Sequence, residues 1–344
     1  MKGEKNTLYS KSKGGYFMRF PIYSLYYFSR LKKEEQALYM RIRNGWLCYQ
    51  TKITLSADEI PKDFSFSRIR DAVLSDTPEL FYISHVQYVR QFASGCLEIK
   101  TELLYSVKEI QRKKEKIDRI IRGILTRKPD EMTAENAAQL FFTQNTEYSY
   151  DFEDAEIYSP VGVFLNHRAV CDGYARAMKL VCDYAKVPCI YVAGTGNPDS
   201  ETQEAHAWNI IRARNGNYYH VDATWNSHFF KSKMLPLYFK VSDTFIEADH
   251  VWDRAFYPQC SVKGKVEQQM VSVANEEEIK KCIIKALKRR KTWLSLASKK
   301  IFDTSDEIMD LVSEACSKVA CSVSVQLSYN NRNRCINLHF CYTN

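Results

Sequence analysis

The stretch His206-Ala207-Trp208-Asn209-Ile210-Ile211, followed by Asn215-Gly216 and then Tyr218-Tyr219-His220-Val221-Asp222-Ala223-Thr224-Trp225, decides how this chain is read. Two β-rich runs separated by Asn-Gly are a hairpin signal. With a two-residue Asn215-Gly216 loop, Arg214 would pair with Asn217, His206 would face Trp225 and Asp222 would face Asn209. Facing residues share a sheet face and successive residues alternate, so Asp222 would point away from His206. A three-residue loop, Arg214-Asn215-Gly216 with Gly216 at positive φ, moves the register by one. Trp208 then faces Asp222, Thr224 faces His206, and His206 and Asp222 become diagonal neighbours, roughly 7–8 Å apart at Cα. An imidazole and a carboxylate can bond across that gap. A histidine base that needs an orienting carboxylate selects the three-residue loop.

Upstream, Cys171-Asp172-Gly173-Tyr174-Ala175 opens a run with apolar residues at Ala175, Met178, Leu180, Val181 and Tyr184. That spacing predicts a helix with one buried stripe. Cys171 and Asp172 fall in its first turn, where backbone N–H groups are unpaired and the dipole end is positive. Such a position favours the thiolate, the reactive form of a cysteine. The same N–H groups can donate to an oxyanion. Cys171, His206 and Asp222 therefore read as nucleophile, base and orienter of a thiol enzyme.

The alternative for Cys171 is a thiol that merely packs, as Cys182 and Cys189 are expected to do. His220 is expected in a structural or rim role, and His250 in a structural one or as a donor behind the pair. Trp208 and Trp225 read either as walls of a substrate site or as packing. Asn166 or His167 could supply a further oxyanion donor, and Asn166 joins Trp208 and Trp225 as a substrate-binding candidate. Cys171, His206 and Asp222 are also ligand types that suit zinc. The helix-borne cysteine already has a nucleophilic explanation, so neither a metal nor a cofactor is expected.

The three runs together, Cys171-Asp172-Gly173-Tyr174-Ala175-Arg176, His206-Ala207-Trp208-Asn209 and Tyr218 to Trp225, closely resemble the transglutaminase-like superfamily in its bacterial branch. The resemblance covers roughly residues 130 to 260, with the motifs in the family's order. Leu140 to Tyr148 and Pro78-Glu79-Leu80-Phe81-Tyr82 look like flanking features of the same branch. The resemblance implies an α+β fold with a papain-like core of helices against an antiparallel sheet, and a Cys–His–Asp triad. The family holds transglutaminases, peptidases, deglycosylating amidases and members without demonstrated activity, so the resemblance implies machinery and leaves the substrate open. Two readings follow: a thiol hydrolase or acyltransferase acting on carboxamide or peptide bonds of a polypeptide, or a catalytically silent scaffold that binds a polypeptide partner.

Composition narrows the class. The 344 residues are 45% hydrophobic and 26% charged, ordinary for a globular protein, with 22 Tyr and 18 Phe. The net charge of +8 is spread without a dominant block, so no nucleic-acid partner is expected. Eleven cysteines without a CxxC pair read as reduced thiols and argue against the zinc-bearing deglycosylating branch. Arg19 and Pro21 interrupt the aromatic run at 16–28, and no cleavage site follows it. No stretch approaches 18 apolar residues, so no membrane span is expected and the cytoplasm is the expected location. Oligomeric state stays open.

Three domains are expected: 1–105, 106–265 with a lead-in helix to the catalytic core, and 266–344. Residues 1–14 read as loose. Helices over Lys32–Leu47 and Phe64–Leu74, a strand over Thr51–Leu55 and a strand pair over Phe81–Phe92 and Cys96–Leu104 make an α-β-α-β-β order. Charged helix Ser106–Lys128 and helix Thr133–Asn145 lead to the core. Tyr148–Tyr158 reads as an aromatic, acidic loop, and Gly194–Glu204 as a flexible loop able to gate the site. Residues 276–344 repeat the α-β-α-β-β order, which points to a structural duplication or to chance.

Overall fold

The computed structural model describes residues 9–12, 15–91, 94–196, 203–231, 236–330 and 334–342. Residues 1–8 of the stretch expected to be loose lie outside these. So do 197–202 of the expected gating loop, and Ala93 and Asn331 of two expected turns. Contacts divide the chain into two compact units, Met1–Val192 and Ala193–Asn344. This division does not coincide with the expected segments.

In the first unit, helix α1 (Lys33–Leu47) buries Leu38, Tyr39, Ile42 and Trp46 along one stripe. Strand β1 (Lys52–Leu55) alternates exposed and buried residues. Helix α2 (Phe66–Asp76) starts at Ser65, whose hydroxyl accepts the Arg68 N–H at 3.3 Å. Strands β2 (Ile83–Arg90) and β3 (Leu97–Leu103) complete an antiparallel sheet of order β1-β3-β2. The expected strand from Phe81 begins two residues later, because Pro78–Leu80 forms a tight helical turn that runs into Phe81. Within the stretch expected to be loose, Tyr9–Ser12 pairs with Gly15–Met18 as a hairpin.

Helix α3 (Val107–Arg127) is opened by reciprocal bonds between Ser106 and Glu109 and buries Ile110, Ile117 and Ile121. Helix α4 (Ala134–Asn145) follows. The chain then makes a short parallel pair, Glu147–Tyr148 with Arg168–Ala169, and a π-helical turn at Gly162–Asn166. Arg168–Ala169 feeds directly into helix α5 (Cys171–Tyr184), which buries Tyr174, Ala177, Met178, Leu180 and Val181.

Strand β4 (Cys189–Gly196) carries the chain into the second unit. There, β5 (Glu204–Arg212), β6 (Tyr218–Val221), β7 (Phe239–Val241) and β8 (His250–Val251) give a sheet of order β7-β6-β5-β4-β8. Between β6 and β7 lies helix α6 (Ala223–Lys231). The hairpin register pairs Tyr218 with Arg212 and Val221 with Asn209. Ala213 donates to the Asn217 carbonyl at 2.9 Å, so the loop is the expected Arg214-Asn215-Gly216, with Gly216 at φ 85°. A β-branched residue tolerates that conformation poorly.

The expected strand to Trp225 is corrected. β6 stops at Val221 and α6 starts at Ala223. Thr224 is therefore helical and does not face His206 across a ladder. The cause is Asp222, which takes the N-cap position, a role in which Asp is among the best residues.

After short helical turns at Asp243–Ile246 and Lys265–Gln269, the second unit continues with β9 (Val271–Val273), α7 (Glu276–Lys288), β10 (Trp293–Ser298), α8 (Ser305–Val319), β11 (Val323–Asn330) and β12 (Cys335–Tyr342). Ile279, Ile283 and Leu287 of α7 and Ile308, Leu311 and Val312 of α8 pack with Leu296, Ile336, Leu338 and Phe340 of the strands. The sheet order is β9-β10-β12-β11, with only the β9–β10 pair parallel. Its β10-β12-β11 part repeats the antiparallel β1-β3-β2 order of the first unit, after the same α-β-α-β-β succession. The two ends thus share one connection order, to which β9 is an addition. The fold class is α+β. Among the described residues, no helix is long and apolar enough to cross a membrane.

Candidate active site

Cys171 is the first residue of α5 and is half-buried. Its position follows from tight packing in the segment before it. Val170 donates to the Ile157 carbonyl at 3.1 Å, and Ser149 to the Ala169 carbonyl at 3.0 Å. A side-chain carbon at Gly173 would meet that Ile157 carbonyl at 2.3 Å, so only glycine lets the first turn approach this loop. The N–H groups of this turn, with the dipole behind them, suit a developing anion.

Asp172 accepts Arg176 Nε at 2.9 Å, and Arg176 also donates to the Leu74 carbonyl at 2.7 Å. These two residues border a cleft of about 360 Å³ in the same unit, lined also by Leu74, Phe81, Phe152 and Tyr158. Phe152 is 56% exposed, which leaves aromatic surface at its mouth.

Asn166 ends the π-helical turn, and its amide donates to the Glu156 carboxylate. Glu156 also accepts the Tyr105 hydroxyl and, at 2.9 Å, Lys113 Nζ. Burial would raise the Glu156 carboxyl, but these donors outweigh it and hold the group below the usual carboxylate range. Neighbouring His167 has φ 59°, uncommon for a non-glycine residue.

In the second unit, His206 Nε2 lies 2.8 Å from Asp222 Oδ2. Asp222 Oδ1 accepts the N–H groups of Thr224 at 2.9 Å and Trp225 at 3.1 Å, which caps α6 and locks the carboxylate. Burial alone would raise the Asp222 carboxyl, yet His206 and His250 hold it far below the ordinary carboxylate range. Asp222 therefore accepts only, the His206 proton sits on Nε2, and Nδ1 is the basic nitrogen of the neutral ring. The His206 side chain is 8% exposed and that of Asp222 is fully buried.

The two tryptophans divide. Trp208 stacks beside His206 with ring centres 5.9 Å apart, but it is completely buried and donates its indole N–H to His220 Nδ1 at 2.9 Å. It has no surface to offer, so its expected substrate-binding role is replaced by packing. Trp225 is half-buried and lies 5.3 Å from the His206 ring.

His250, expected as a structural residue or as a donor behind the pair, touches the pair with its ring. His250 Nε2 lies 3.2 Å from Asp222 Oδ2. The His-Val-Trp run carries no spacing that marks this contact, because β8 joins the sheet from 28 residues downstream of Asp222.

Among the described residues, two groups of potential metal donors lie within 4.8 Å: His206, Asp222 and His250, and His220, Asp243 and Cys260. In the second group, Trp208 can only donate, so His220 Nδ1 accepts and Nε2 carries the proton given to Asp243 at 2.8 Å. A metal on that Nε2 would require an imidazolate. In the first group, both histidine Nε2 atoms already converge on one carboxylate oxygen.

Residues 118–223 match a family described as the transglutaminase-like superfamily, and Cys171, His206 and Asp222 all fall in that span. No curated protein matches. A solved structure named "Putative Cysteine Protease from Cytophaga hutchinsonii" is 13% identical over 41% of this chain and 61% of its own, with a TM-score of 0.27. A structure named as a TGase is 9% identical over 50% of each chain, with a TM-score of 0.28. One named as a "putative protease" from Parabacteroides distasonis ATCC 8503 is 10% identical over 76% of this chain and 62% of its own, with a TM-score of 0.27. The matched parts span less than two thirds of each of those chains, and likeness at this level carries no argument about function.

Proposed function

We propose that this chain, whose residues 118–223 carry a transglutaminase-like match, is a thiol enzyme that acts on carboxamide or peptide bonds of a polypeptide. Cys171 is the nucleophile, His206 the base and Asp222 the orienter. The observation that carries the reading is the locked His206–Asp222 pair at 2.8 Å. Cys171 at the head of α5 supplies the reacting group that such a pair serves.

The chemistry runs in two halves. His206 takes the thiol proton, and the thiolate adds to the substrate carbonyl carbon. The oxyanion is met by the N–H groups of the first turn of α5. As the intermediate collapses, the C–N bond breaks and the imidazolium gives its proton to the leaving amine or ammonia. A thioester on Cys171 remains. Water then yields an acid, or an amine yields a new amide, and the thiol regains its proton. Asp222 holds the ring and stabilises its charged form throughout. The cleft beside Asp172 suits an aromatic or aliphatic side chain of the acyl donor. No metal, cofactor or nucleic acid takes part, and the reading places the protein in the cytoplasm.

Alkylation by iodoacetamide at neutral pH, with each modified cysteine mapped by mass spectrometry, tests the reading. Cys171, though half-buried, is expected to react before the exposed Cys48. Buried thiols such as Cys335, which burial pushes up to about 12, are expected to lag. Equal rates at Cys171 and Cys48, unchanged in His206→Ala, would favour the silent scaffold instead.

A further inference from the structure

We propose that Asp222 is set in place by a second histidine, His250, which is held in turn by Asp249 and by Asn330 of the C-terminal sheet. This makes that sheet part of the positioning apparatus of the site. The inference rests on the triad reading and adds positioning residues to it.

The contacts form one continuous line within the second unit. Asp222 Oδ2 meets His206 Nε2 at 2.8 Å and His250 Nε2 at 3.2 Å. His250 Nδ1 meets Asp249 Oδ1 at 2.7 Å. The other Asp249 oxygen accepts the Tyr238 hydroxyl at 2.6 Å and Asn330 Nδ2 at 2.9 Å. Asn330 Nδ2 also lies 2.8 Å from the Tyr238 hydroxyl. Asp222, His250, Asp249 and Tyr238 are all buried, and Asn330 is the last residue of β11.

Counting protons gives the arrangement its meaning. Each ring nitrogen of His250 faces a carboxylate oxygen. A single ring proton would make one N–H···O bond and turn the other nitrogen's lone pair toward a carboxylate. Both carboxylates already accept from other donors, so the array is satisfied with a proton on each nitrogen. Asp222, His250 and Asp249 then carry one net negative charge in a buried site, where two uncompensated carboxylates would be costly. That single charge is what His206 meets when it becomes an imidazolium.

The groups facing His250 from the elements packed on it are few. Asp222 and Asp249 bind it, and the rings of His206, Trp208, Trp225 and Tyr238 lie 4.4–5.6 Å away centre to centre. His220 lies beyond Trp208. His250 is thus enclosed by rings and joined at both ends to carboxylates, which is how a residue that fixes another's orientation is built. A buried ion cluster serving stability alone is the competing explanation. The two differ in one respect: only a positioning role reaches the reactivity of Cys171.

The experiment measures the iodoacetamide rate at Cys171 from pH 5 to 9 in the full chain, for wild type, His206→Ala, His250→Gln and Asn330→Ala, each well below its own melting temperature. His250→Gln is expected to slow Cys171 about tenfold at neutral pH and to displace its pH profile, an effect of the size seen for outer partners of functional histidines. Asn330→Ala is expected to move the profile the same way, by about two- to threefold. A lowered melting temperature with a wild-type profile in both variants overturns the inference. If His250→Gln does not fold, Asn330→Ala decides alone, because its side chain sits at the end of a strand. A profile that responds to His206 but to neither His250 nor Asn330 leaves the triad standing and removes this inference. A profile indifferent to His206 removes both.

Discussion

Two of the histidine–aspartate pairs in the second unit are the same at the level of the bond. His206 Nε2 to Asp222 and His220 Nε2 to Asp243 are both 2.8 Å. They differ in what surrounds the bond. The His220 side chain is fully buried and its Nδ1 already accepts the Trp208 indole N–H, so both ring nitrogens are spent inside the protein. Asp243 spends its second oxygen on the Cys260 N–H at 2.9 Å. His206 keeps 8% of its side chain exposed, and its Nε2 meets the fully buried Asp222. In the first pair the carboxylate is the buried member, and in the second the histidine is. A base must meet a substrate or nucleophile, so burying the acid fully and leaving the base partly open is the useful polarity. The reverse order ties strands together.

Breaking the bases should separate the pairs most sharply. His206→Ala is expected to lower the Cys171 alkylation rate at pH 7 by about 10²-fold or more, the usual contribution of a positioned base. His220→Gln is expected to leave that rate unchanged while destabilising the fold by about 1–3 kcal/mol, since it strands the Trp208 and Asp243 partners. Alkylation kinetics beside thermal melts distinguish the two outcomes, and a kinetic defect in His220→Gln would erase the distinction.

The carboxylates come next. Asn is as good an N-cap as Asp, so Asp222→Asn keeps the cap of α6 and removes only the charge. It is expected to slow Cys171 about tenfold or more, whereas Asp222→Ala should lose about 1 kcal/mol of further stability with the cap. Denaturant unfolding of the two variants reads that difference. Asp243→Asn is expected to leave the Cys171 rate unchanged.

Acid should also resolve the pairs. Burial lowers the pKa of His220, so its neutral form is the folded one. Its contribution is present above the unfolded value of about 6.5 and is lost as pH falls below it. Asp222 is lowered as well, by His206 and His250 against the effect of burial. Its contribution is present above about pH 4 and is lost on further acidification. The melting temperature is therefore expected to fall in two stages on acidification, and His220→Gln should lack the first. A single stage near pH 4 in the wild type would contradict the buried, neutral His220.

The smallest effect concerns the turn that sets the register. Gly216 holds φ 85°, and Gly216→Val is expected to destabilise by about 1–2 kcal/mol. It should slow Cys171 only slightly, because Asp222 is also locked by α6 and by His250. A loss as large as that of Asp222→Asn would show that the turn, not the cap, places the carboxylate.

Much of this was legible along the chain because it is local. The stripe of α5, the charged helix from Ser106, the three-residue turn at Gly216 and the repeated α-β-α-β-β order all follow from residues within a few positions of one another. The strand read through to Trp225 failed for a local reason too. Asp222 caps a helix whose first turn, with β-branched Thr224 and aromatic Trp225, carries residues typical of strands.

By itself the sequence determined that Cys171 opens a helix, that the turn at Gly216 brings His206 and Asp222 together, and that the ends of the chain share one order of elements, because periodicity and turn geometry act over short separations. Only the tertiary structure decided that Trp208 is sealed from any substrate, that His220 is spent between Trp208 and Asp243, and that His250, Asp249 and Asn330 stand behind Asp222. Those contacts join strands separated by 12 to 92 residues. Which buried polar group meets which is set by how the sheets pack, since each must find a partner out of water and no local pattern records where that partner lies.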